Sequence, residues 1–236
     1  MFRHIITFLI SLFICTAAQA QPSAVIDSAD LISYDNPTYT TVDSALDALF
    51  YVSPDVSSFA NNRNNVEIGT TITSTILTWV NNKTMTSESI NQGIGSITPS
   101  LLTYTDNTSY STNRTYTITV GDGTNTDQAS TSVTFLNKRY WGVSANTTLN
   151  DAQIIALSSE LSSTLAKSFS STPSAQYIHY CFPNSFGDPS FTVNGLTNND
   201  WTENIQTHVN ASGNSTSYSC WRTNNLLTGT YSIGAN

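Results

Sequence analysis

The sequence predicts a mainly β protein: an immunoglobulin-like β-sandwich followed by a second β-rich, sandwich-like domain with one helix at its entrance. Three observations carry this expectation. Tyr116, Ile118 and Val120 alternate with Thr115, Thr117 and Thr119, a period of two that puts the apolar set on one face of a strand. Asn, Gly, Asp and Pro gather between such runs, which is turn chemistry. Only 10% of the 236 residues are charged, so the Glu, Lys and Arg that fill long helices are scarce.

Residues 1–20 read as a secretory signal peptide, with a retained apolar leader that anchors the N-terminus in a larger assembly as the alternative. Arg3 and His4 form a weakly positive start, Ile5 to Ile14 is an apolar stretch too short to span a bilayer, and Ala18-Gln19-Ala20 is a small-x-small cleavage site. Residues 21–52 follow as an N-terminal attachment segment. Tyr34-Asp35-Asn36-Pro37 is a turn, because proline forces the residue before it out of the helical region. Thr41 is placed to cap a short helix whose Val42, Ala45, Leu46 and Leu49 fall at i, i+3, i+4 and i+7. A stripe this short is marginal alone and needs another surface, its own domain or copies of itself.

The immunoglobulin-like domain is expected over 53–138. Thr75, Leu77 and Trp79 share one strand face, with Ile76 and Val80 on the other. Gly121-Asp122-Gly123 ends the Thr-rich strand, and Val133 and Phe135 alternate with Ser132 and Thr134. The region holds no cysteine, so any sandwich here lacks a disulfide. The C-terminal domain is expected over 139–236. Asn150 and Gln153 form a capping box ahead of a helical stripe of Ile154, Leu157 and Leu161. Strands follow at Tyr177–Phe182, Phe191–Val193, Tyr218–Trp221 and Thr230–Ile233, with turns at Asn194-Gly195 and Ser212-Gly213-Asn214. Cys181 and Cys220 form either a disulfide, which export permits, or two small apolar core residues. Their aromatic neighbours favour the second.

The net charge of -8, with eight Lys and Arg of which only Lys138 and Arg139 adjoin, supplies no basic stripe for phosphates and argues against nucleic acid as a partner. The sequence carries no phosphate-binding, zinc or nucleophile motif, so neither catalysis nor a cofactor is expected. His179 and His208 are the histidines beyond the leader, too few for a metal site. Asp188, Asp200 and Glu203 share one stretch without the pattern of a paired-carboxylate site. Asp122 and Asp127 flank a glycine turn whose oxygens could suit calcium, but Asp in a Gly-rich turn is ordinary turn chemistry. Trp201, Tyr218, Asn198 and Asn199 offer aromatic faces and amides of the kind that recognise sugars, with the core as the alternative place for the aromatics.

Leu31-Ile32-Ser33-Tyr34-Asp35-Asn36, followed by Thr41 to Leu49, resembles an element of bacteriophage tail-fibre and other virion structural proteins. Asp43 stands where that element usually has Gln, and an intervening Ser-Gly-Leu is absent. Leu77-Thr78-Trp79, Asn82-Lys83 and Tyr140-Trp141-Gly142 continue the resemblance. It implies a virion appendage, often a homotrimer, in which Val42, Ala45, Leu46 and Leu49 pack around a three-fold axis. The partners implied are other virion proteins, further copies of the chain, and a host-surface glycan or protein. The leader departs from that pattern and points to the alternative of an exported bacterial adhesin or carbohydrate-binding module, periplasmic or at the cell surface.

Overall fold

A computed structural model describes residues 42–236. The leader, the extended runs before the helix and the Thr41 cap lie outside the described residues. The chain divides into two compact units, 1–53 and 54–236. In the first, α1 (Val42–Leu49) is a helix where the stripe predicts one, and the Phe50 amide extends it by donating to the Leu46 carbonyl at 2.9 Å. Ala45 and Leu46 are half-buried and Leu49 is 73% exposed.

The second unit begins with an immunoglobulin-like sandwich. Its strands are β1 (Val56–Asn61), β2 (Asn65–Glu67), β3 (Thr75–Asn81), β4 (Ser87–Ile90), β5 (Gly95–Ile97), β6 (Thr103–Asp106), β7 (Arg114–Gly121) and β8 (Thr126–Ser144). One sheet has the order β1-β3-β6; facing it run β5-β4-β7-β8, with β2 parallel to β8. These are the places of strands A, B and E and of C′, C, F and G in an immunoglobulin sandwich. Alternation decides what is buried: Leu77, Trp79, Tyr116, Ile118, Val120, Val133 and Phe135 form the core, while Ile76 and Val80 face out. Trp79 sits on the B-position strand rather than on C, and Phe59 meets it edge-on at 6.2 Å.

β8 does not stop at the expected boundary of 138/139. Its first half pairs with β7 and its second half with β11 (Ser174–Pro183), so one sheet runs through both sandwiches. The apolar clusters nevertheless divide there, Phe135 belonging to the first and Tyr140 to the second.

Beyond β8 come α2 (Asp151–Ile155), β9 (Ser158–Ser162), β10 (Lys167–Ser171) and β11, then β12 (Phe191–Val193), β13 (Leu196–Thr197), β14 (Trp201–Val209), β15 (Ser215–Thr223), β16 (Leu227–Thr228) and β17 (Tyr231–Ala235). The sheet β9-β8-β11-β15-β14 packs against β10-β17-β12-β13. Ile178, Tyr180, Phe182, Phe191, Trp201 and Ile233 fill the space between them. Alternate residues of the first sheet (Tyr140, Cys181, Tyr218 and Cys220) point to its other face, where Leu149 and Ile154 cover them.

Two readings of this half are corrected. The predicted capping box is present, Asn150 and Gln153 each bonding the other's backbone, but the helix ends at Ile155 and Leu161 lies in β9. The Ser-rich run around it gains more by pairing with the open edge of β8 than by continuing a helix. Cys181 and Cys220 are not free core thiols. They are bonded to each other, as directly opposed partners on β11 and β15.

Candidate functional site

The packing buries the two aromatic residues of the candidate sugar site and leaves its two asparagines at the surface. Trp201 opens β14 and stacks on Phe191 with ring centroids 4.0 Å apart, leaving it 7% exposed. Tyr218 is 2% exposed, and its hydroxyl donates to the Lys138 carbonyl at 2.7 Å. Neither presents a free face. Asn198 accepts from the Asp200 amide at 2.9 Å in a turn, and Asn199 stands exposed beside it. Trp221 and Tyr231 are half-buried against the same core. The alternation of Trp201 with polar neighbours gave no warning, since burial here depends on the opposite sheet.

Three of the acidic residues singled out from the sequence, Asp122, Asp127 and Asp200, are committed to structure. Asp122 takes the amides of Thr124 and Asn125 and pairs with Lys83. Asp127 accepts from the Val56 amide at 2.9 Å, tying β8 to the first strand. Asp200 binds the side-chain amides of Asn224 and Asn225. Asp188 is exposed in a loop, and one carboxylate oxygen of Glu203 is buried without a partner. Among the described residues no group of three or more His, Cys, Asp or Glu is placed to hold a metal ion.

The two histidines lie apart in different settings. His179 Nε2 meets the Asn146 carbonyl at 3.1 Å. Burial lowers its pKa to about 4, and the nearby Arg222 pushes the same way against the Asn146 bond. His208 is fully buried, edge-on to Tyr140 and Tyr218, and its Nδ1 lies 2.9 Å from Asp151, the first residue of α2. Both anchor the covering of one sheet face rather than converge on a cleft.

The exposed apolar residues show where further contact is available. After α1, Leu49, Phe50, Tyr51 and Val52 form an unbroken accessible run, 73%, 59%, 37% and 62% exposed. Leu49 was predicted from the helical stripe. Phe50 to Val52 were not, and four consecutive apolar residues at a helix end are the signal that marks them. On the second sandwich Leu196, Ile205 and Leu226 are exposed singly.

No protein-family model matches the chain, and no curated protein matches it. Among solved structures it is similar to titin domains A168–A170, at 10% identity and a TM-score of 0.26, over 79% of this chain and 62% of that one. Titin tandem immunoglobulin domains A164–A165 align at 12% identity and a TM-score of 0.21, over 78% of this chain and 92% of theirs. At such scores the likeness carries no argument; the immunoglobulin-like assignment rests on the strand order above.

Proposed function

We propose that this chain is a non-enzymatic virion structural protein, a tail-fibre, neck or head-fibre component that trimerises through its N-terminal segment and holds its C-terminal sandwich toward a host surface. The observation that carries the reading is the exposed apolar run from Leu49 to Val52 at the end of α1. An eight-residue helix is marginal in water, and self-association buries such a run without a second protein. Burial of Trp201 and Tyr218 leaves host contact to exposed residues such as Asn199, Leu196 and Leu226. Light scattering on the full chain tests the assembly: a trimer that Leu46→Asp and Leu49→Asp together convert to monomer supports the proposal, and a monomeric parent protein removes it.

The Cys181–Cys220 disulfide favours a second reading, an exported bacterial adhesin or carbohydrate-binding module, since such bonds persist in oxidising compartments. Intact mass of the protein from its native source separates the two. A chain that begins at Gln21 and carries the disulfide supports export.

A further inference from the structure

We infer that the two sandwiches are clasped into one cooperative, non-hinging body by the loop after β2 gripping the turn between β14 and β15. Neighbouring domains in one chain are expected to move against each other unless a substantial contact stops them, and here the contact is built from both sides of the junction. β2 lies parallel to the middle of β8, Val66 beside Phe135, and the Ile68 amide prolongs the pairing by donating to the Leu136 carbonyl at 3.0 Å. Glu67 then pairs with Lys138 at 2.9 Å, on the stretch of β8 that belongs to the second sandwich.

The turn answers from the other half. Asn210 is 7% exposed, and its side-chain amide donates to the Ile68 carbonyl at 2.7 Å. Its side-chain oxygen accepts from the Ser212 and Asn214 amides, so one residue both shapes the turn and fastens it. The Thr70 and Ser212 hydroxyls lie 3.1 Å apart. Gly69 has φ +93°, and a Cβ there meets the Asn214 Cβ at 2.7 Å. Only glycine satisfies both the backbone angle and the approach.

β14 is held at the same point by its own half. Asp151 Oδ1 accepts from the Val209 amide at 3.1 Å, one residue before Asn210, so a pull on the clasp is borne by the sheet and by α2 together. The consequence is mechanical: a continuous strand alone can bend, whereas a strand with a second attachment beside it cannot pivot without breaking the clasp. The inference holds for a virion component and for an exported module alike.

Scanning calorimetry of the full chain tests it. The unit 54–236 is expected to unfold in a single transition whose van't Hoff and calorimetric enthalpies agree. Gly69→Ala and Thr70→Val, which attack from the first sandwich, and Asn210→Ala, from the second, are each expected to split that transition into two. Native-state hydrogen exchange supplies the second readout: amides of β7 and β15 should share their slowest opening in the parent protein and lose that coincidence in Gly69→Ala. Two resolved transitions in the parent protein, or a single unsplit transition in all three folded variants, overturns the inference.

Discussion

The first sandwich closes its core with a polar lock, the second with a covalent bond and an extra layer. In the first, the Asp106 carboxylate takes the Tyr116 hydroxyl at 2.8 Å, Arg114 at 3.0 Å and the Thr108 amide at 2.9 Å. The Arg114 guanidinium also lies 4.6 Å from the centre of the Tyr110 ring. Burial works to raise the Asp106 pKa, but the Thr108 and Tyr116 bonds and the Arg114 charge outweigh it and hold the carboxyl below its ordinary value. In the second, Cys181–Cys220 welds β11 to β15 within a sheet covered on both faces. Glu160 there is held below its ordinary value by Lys167 and Arg139, against the effect of burial. A sheet with one solvated face is secured well enough by side-chain hydrogen bonds. A sheet that supports a layer on each side is fixed at its centre, where a disulfide joins its middle strands.

The comparison can be broken first at the apolar core of the cysteine-free half. Trp79→Ala, at a site 3% exposed, is expected to cost about 3–5 kcal/mol in denaturant unfolding. A loss under about 1 kcal/mol would show the first core to be loosely packed. The covalent device comes next. Cys181→Ala with Cys220→Ala opens a loop of sequence separation 39 and should cost about 3–4 kcal/mol; equal stability of bonded and reduced protein would remove the weld from the account.

The third prediction separates the halves by pH. His179 has its folded pKa depressed from 6.5 to about 4, so the unfolded chain takes up a proton first as pH falls. Its contribution is complete above about pH 6.5 and drains away between there and about pH 4, on the order of 3 kcal/mol in total. Asp106 and Glu160, both depressed, contribute above the ordinary carboxylate pKa of about 4 and are lost only below it. Destabilisation between pH 6.5 and 4 therefore traces to the second sandwich. Urea midpoints of His179→Gln should be nearly flat across that window, and an unchanged slope would assign the effect elsewhere. The smallest effect is the lock itself. Tyr116→Phe removes one bond to a charged carboxylate and should cost about 1.5–3 kcal/mol, with the Asp106 carboxyl titrating higher by NMR.

Some elements were legible because their physics is local. The Asn150–Gln153 capping box, the alternation through Tyr116–Val120 and the Asn194-Gly195 hairpin, whose residues have φ of +52° and +82°, each depend on neighbours a few residues away. β14 was not legible. Its residues Thr202, Glu203, Asn204, Gln206 and Thr207 are polar, and it is a strand because β15 pairs with it along its whole length. The burial of Trp201 and Tyr218 was hidden for the same reason. A tryptophan beside asparagines reads alike whether it stacks on a sugar or on Phe191, and only the opposite sheet decides.

The sequence by itself determined that this protein is built from sandwiches, that its strands turn where Gly, Asn and Pro fall, and that α1 carries an apolar stripe. Periodicity and turn chemistry settle such matters within a few residues of chain. The tertiary structure alone decided that Cys181 bonds Cys220, that β8 runs unbroken through both halves, and that Asn210 reaches Ile68. Each joins residues distant in sequence, and their meeting is set by strand register and sheet packing, which no local pattern encodes.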